Sequence, residues 1–145
     1  MNILLLTPLY KIEGRKTLER NTEAIHYLIK YWNELPNVNI RVVNTYLNPG
    51  RNMAFLFKKG EISNYINDYE YEVDGIPVYL TEVQQIPFQS HFWKFQNKKM
   101  LNAINKVVEK YNYQPDLIIA HFPVRYALLM NEIKCSCPKI AVAHT

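Results

Sequence analysis

Cysteine is scarce in this chain: there are two, Cys135 and Cys137, separated by a single residue. That spacing disfavours a disulfide between them, and with no His or Cys at ligand spacing nearby they do not read as a zinc site. A reducing cytoplasm is the simplest setting. Long apolar runs are absent too. The longest, such as Ile3 to Leu6 and Leu117 to Ala120, fall far short of the ~20 residues that span a bilayer. No basic segment precedes Asn2 to Tyr10 and no small-residue cleavage site follows it, so a signal peptide is not expected. Glycine is thin where a dinucleotide site needs it. Gly14 stands alone after the first apolar run. The Gly-x-Gly-x-x-Gly fingerprint and the Walker sequence are both missing, which disfavours hydride transfer. Acidic residues vanish between Glu82 and Glu109, while Lys94, Lys98, Lys99 and Lys106 fall inside that gap. Those four charges match the whole net charge of +4.

What remains describes a globular protein. Hydrophobic content of 48% and charged content of 21% over 145 residues suit one domain with a real core. Asn2–Thr7 reads as a buried strand that Pro8 ends. Leu18, Ile25, Leu28, Ile29, Trp32 and Leu35 recur at helical spacing until Pro36 and Asn37. Asn39–Tyr46 is a second strand, completing a right-handed βαβ unit. A short helix is expected over Met53–Phe57. Glu70–Val73 and Ile76–Leu80 flank Asp74-Gly75, a two-residue hairpin turn, with Pro77 at a strand start or edge. Gln84–Ser90 reads as polar loop. Trp93–Tyr113 is helical, with Met100, Leu101, Ile104, Val107, Val108 and Tyr111 on one stripe. Asp116–Pro123 holds a strand apolar on both faces, followed by a helix over Val124–Lys134 and a last strand, Lys139–Ala143. These elements predict a Rossmann-like, doubly wound α/β domain. Its sheet is mostly parallel in strand order 3-2-1-4-5, with an inserted β-hairpin. The chain stops just after a strand, which suggests one part of a longer protein.

Three histidines matter for chemistry. His121 falls at the carboxyl end of a central strand, the edge where open α/β sheets bind ligands. An imidazole held there can carry a proton or orient a ligand, or it can simply pack with both nitrogens satisfied. His144 ends the neighbouring strand in the same way. His26, beside Ile25, reads as a surface or boundary residue. Gly14-Arg15-Lys16 ahead of a helix suits phosphate, through backbone N–H groups and two cations, or is an ordinary solvated loop. Phe88, His91, Phe92, Trp93, Lys94, Phe95, Lys98 and Lys99 interleave aromatic and basic side chains. Such a surface can sit on an anionic membrane, stack on single-stranded nucleic acid or hold a lipid-linked substrate. The density of the aromatics favours a plainer reading, in which they fill the gap under a loop while the lysines stay in water. Arginines and a continuous stripe are missing, so nucleic acid is not expected as a partner.

Four segments together resemble the N-terminal domain of the GT-B glycosyltransferases of the retaining family 4 (group 1) type. They are Asn2–Pro8 with its glycine loop, Val73-Asp74-Gly75-Ile76-Pro77-Val78, Asp116–Pro123, and Ala141-Val142-Ala143-His144-Thr145. The resemblance covers essentially residues 1–145. It implies the acceptor-side half of an enzyme of two Rossmann-like domains, the donor-binding C-terminal domain lying beyond this chain. The implied reaction moves a sugar with retention from a nucleotide-sugar to a glycan or lipid-linked acceptor, as in polysaccharide biosynthesis. It runs without a metal or other cofactor, and this half alone is inactive. His121 would be the catalytic-site histidine that hydrogen-bonds the transferred sugar. Gly14, Arg15 and Lys16 would approach the donor diphosphate, and His144 and Thr145 would face the same cleft. Phe92, Trp93 and Lys94 would contact an acceptor or the inner face of a membrane. The sequence departs from the family in carrying only Gly14 where a Gly-Gly pair is common, and the helix-start glutamate is either Glu19 or Glu23. The non-enzymatic alternative is a stand-alone α/β module that binds an anionic ligand or a protein partner at its sheet edge.

Overall fold

The computed structural model describes residues 1–12, 23–48, 68–84, 93–121, 126 and 129–143. Its elements are β1 (Asn2–Thr7), α1 (Glu23–Asn33), β2 (Asn39–Asn48), β3 (Tyr69–Val73), β4 (Ile76–Gln84), α2 (Trp93–Lys110), β5 (Leu117–His121) and β6 (Lys139–Val142), with a 3₁₀ turn over Met130–Glu132. They build one six-stranded sheet in the order β3-β4-β2-β1-β5-β6. β4, β2, β1, β5 and β6 are all parallel, and β3 is an antiparallel edge strand. Counting the parallel strands alone reproduces the order 3-2-1-4-5. The expected α/β architecture, with its inserted hairpin, is the one observed.

The two faces are covered separately. Ile3, Leu5, Ile40, Val42, Ile76, Val78 and Ile119 pack with Ile25 and Ile29 of α1. Leu4, Leu6, Val43, Tyr79 and Ile118 pack with Met100, Ala103, Ile104 and Val107 of α2. Strands buried on both faces need apolar residues at every position, which is why β1 and β5 read as unbroken apolar runs. The hairpin turns at Asp74 and Gly75, both at positive φ (50° and 77°), as a two-residue turn matched to strand twist requires. Pro77 sits one residue before β4 begins its ladder with β2 at Val78. Its missing N–H therefore costs that ladder nothing. Asn37 (φ 64°) and Asn112 (φ 44°) take the left-handed conformation just past the two helices, where short polar side chains tolerate it.

The amino end of the sheet is sealed by hydrogen bonds. The Asn2 N–H donates to the Asp116 carboxylate at 2.7 Å, the Asp116 N–H to the Asn2 carbonyl at 2.8 Å and the Asn39 N–H to the Met1 carbonyl at 2.9 Å. The Tyr113 hydroxyl is shared between the Ile3 and Asn39 carbonyls at 2.9 Å each. Burial pushes that phenol up to about 12, so it remains a donor at any ordinary pH.

Several local expectations are corrected. β2 runs on to Asn48 and β4 to Gln84. Leu28 and Leu35 are exposed, not core, because α1 turns its Ile25, His26 and Ile29 stripe to the sheet and ends before Leu35. The chain is no longer α-helical by Met130–Glu132, and Ile133 is extended. The 3₁₀ turn buries Met130 and Ile133 and redirects the chain toward β6 sooner than an α-helix to Lys134 would. The expected helix over Met53–Phe57 and the loop after Gln84 lie outside the described residues.

Candidate functional site at the carboxyl edge of the sheet

Side chains alternate along each strand, so the face of every end residue follows from its apolar neighbours. Thr7 continues the Ile3 and Leu5 row, Asn44 the Ile40 and Val42 row, Glu82 the Ile76 and Val78 row, and His121 follows Ile119. All four therefore lie on the α1 face: Thr7 and His121 end β1 and β5, while β2 runs on to Asn48 beyond Asn44 and β4 to Gln84 beyond Glu82. All four are buried: Thr7 and Asn44 at 0% exposure, Glu82 at 1% and His121 at 3%. Lower on the same face the buried residues are aliphatic. On β4 the residue opposite Asn44 is Leu80, and Glu82 lies two residues further along, opposite Tyr46. Thr7 and Asn44 are direct register partners.

The row combines different hydrogen-bonding abilities. Asn44 donates from Nδ2 to the Tyr10 carbonyl at 3.0 Å, while its buried Oδ1 has no partner among the described residues. The Thr7 hydroxyl accepts the Leu9 N–H at 3.2 Å and keeps its own proton to give. His121 stands opposite Val142 of β6, and both it and Glu82 already have an interaction within the protein. Among the described residues no three His, Cys, Asp or Glu side chains gather into a set fit to hold a metal.

Of the residues singled out in the sequence, His121 occupies the expected edge. Gly14, Arg15, Lys16, His144, Thr145 and Phe92 lie outside the described residues, and so do the side chains of Trp93 and Lys94, whose backbone opens α2. The nearby lysines do not all stay in water. Lys99 donates its ammonium to the Glu82 carbonyl, fixing α2 against the end of β4. No described helix is long and apolar enough to cross a membrane. Thr7, Asn44 and Glu82 were not anticipated. Their signal was present as the one polar residue closing an otherwise apolar i, i+2 row.

His26 overturns its expected place at the surface. It is buried, with Nδ1 2.9 Å from the Tyr10 hydroxyl and Nε2 3.0 Å from Asp74 Oδ2, to which Lys30 also donates at 3.1 Å. Burial, reinforced by the nearby Tyr71 and Asp74, raises the Tyr10 phenol well above its ordinary value. Tyr10 therefore keeps its proton, and the His26 ring bridges its hydroxyl and the Asp74 carboxylate. The hydrogen bonds from His26 and Lys30 hold Asp74 below the usual carboxylate range. This network ties the loop after β1 to α1 and to the hairpin turn, at the amino end of β4. The sequence matches no protein-family model and no curated relative.

Proposed function

We propose that this chain is the acceptor-side half of a retaining glycosyltransferase, one that moves a sugar from a nucleotide-sugar to a glycan or lipid-linked acceptor. The observation that carries the reading is the set of buried polar side chains His121, Thr7, Asn44 and Glu82 on one face of a parallel sheet, toward the carboxyl side of its strands. Burying polar groups costs free energy unless a partner is supplied, and hydroxyl groups of a sugar would supply one to the Asn44 Oδ1. His121, at the end of a rigid central strand, would hydrogen-bond the transferred sugar as positive charge develops on its ring. The leaving diphosphate balances that charge. Gly14, Arg15 and Lys16 belong to the diphosphate side of the proposal, His144 and Thr145 to the same cleft. Phe92, Trp93 and Lys94 would contact the acceptor or the cytoplasmic face of a membrane.

The test is transfer from UDP-, GDP- and ADP-sugars by the protein together with its donor-binding half, wild type against His121→Ala. A loss of roughly a hundredfold in turnover, with the unfolding midpoint unchanged, is the expected result. Near-normal turnover would overturn the role of His121. Binding of an anionic ligand at this edge without any sugar transfer would favour the stand-alone module instead.

A further inference from the structure

The opposite face of β2 carries a guanidinium with no counter-charge among the described residues. Arg41 lies with its Cζ 4.2 Å from the centre of the Tyr111 ring and 5.4 Å from that of Tyr113. Its Nε is buried against these rings without a hydrogen bond, and no described carboxylate is in ion-pair range. The acids around it are spent or turned away. Glu70 pairs with Lys110 at 2.7 Å, and Asp68 accepts from Tyr79 and Thr81. Glu72 is exposed and makes no ion pair among the described residues. The clamp is itself anchored, because the Tyr113 hydroxyl is held by the Ile3 and Asn39 carbonyls. The Tyr111 hydroxyl is also buried, with no partner among the described residues. Arg41 and Tyr111 line one cleft of about 300 Å³, with Pro77, Val78 and Val107 as apolar wall and Glu72 as its remaining acid.

We propose that this cleft binds a small oxyanion, a carboxylate or a phosphate group, with the Arg41 guanidinium as principal contact and the Tyr111 hydroxyl as second donor. A planar guanidinium pinned by its flat face presents its terminal N–H groups edge-on, the geometry that grips two oxygens of one anion at once. A cation withdrawn from water without a counter-charge is costly, and an anion from solution removes that cost where the protein supplies none. Lys106, whose ammonium lies 5.4 Å over the Tyr79 ring, adds positive field, while the charge of Lys110 is offset by Glu70, which also lines the cleft. Glu72 opposes that field and sets the affinity low. The cleft is on the α2 face, away from the polar row on the α1 face, so the inference stands whether or not the chain belongs to a glycosyltransferase.

The experiment is a titration of the ¹⁵N-labelled 145-residue chain with sodium phosphate and, separately, sodium acetate, at ionic strength held constant with sodium chloride. The Arg41 Nε–H resonance is the readout, assigned by its loss in Arg41→Lys. A saturable shift in roughly the millimolar range is expected. A response to phosphate alone, to acetate alone, or to both supports the site and names the oxyanion. Tyr111→Phe should weaken binding about threefold, and Glu72→Gln should tighten it about twofold by removing a like charge. In Arg41→Met the shifts of the Tyr111 and Tyr113 amides should need about tenfold more anion or disappear. No saturable shift with either anion would overturn the proposal. So would titrations in which wild type, Tyr111→Phe and Glu72→Gln cannot be told apart.

Discussion

Several buried or shielded polar groups find partners within the fold. Asp116 answers Asn2, Tyr113 answers two strand carbonyls, and His26 stands between Tyr10 and Asp74. Asn44 is just as buried but keeps an acceptor with no partner among the described residues, and the Arg41 Nε and the Tyr111 hydroxyl have none there either. The difference separates two uses of polarity. Paired polar groups fix register and join elements, and they contribute to stability. An unanswered one costs stability unless a partner comes from outside the described residues.

The comparison can be broken by measuring what each group contributes. His26→Leu should have the largest effect, because it strands the buried Tyr10 hydroxyl and removes the link from α1 to the hairpin. A loss of about 2–3 kcal/mol is expected in urea unfolding. Tyr113→Phe should come next, at about 1–2 kcal/mol, with a pH signature. Its folded pKa of about 12 lies above the unfolded value of 10.0. The stability it contributes is therefore complete below pH 10 and is lost as the pH rises through about 12. The variant should show a flatter alkaline limb in unfolding free energy against pH. Asn44→Leu should have the smallest effect. It loses the bond to the Tyr10 carbonyl but also removes an unpartnered acceptor, so a change within about 1 kcal/mol of wild type is expected. If Asn44→Leu costs as much as His26→Leu, paired and unanswered polar groups do not differ in the way described.

How much of this was legible depended on whether a residue's partners were local. The strands were readable because doubly buried strands must be apolar throughout, and the hairpin because Asp-Gly suits positive φ at both positions. His121 was found because it ends such a run. His26 was missed because only Ile25 stood beside it, whereas its partners Tyr10 and Asp74 are 16 and 48 residues away. Its place on the stripe between Ile25 and Ile29 was the available clue. The polar row was missed for a related reason. Thr7, Asn44 and Glu82 look like ordinary polar strand residues until the sheet puts them on one face, Thr7 opposite Asn44. The end of the expected helix before Lys134 was hidden because Met130 and Ile133 satisfy a helical period and a 3₁₀ turn equally well.

The central position of β1 has a consequence for how the chain is made. One side of β1 pairs with β2, close behind it in sequence, while its other side waits for β5. Roughly seventy more residues must leave the ribosome after β2 before that partner exists, several seconds at the roughly 5–20 residues per second of synthesis. Throughout that interval Leu4, Leu5 and Leu6 sit on a half-built sheet with one rim uncovered. The nascent chain is then most exposed to mispairing, and a chaperone has most to protect.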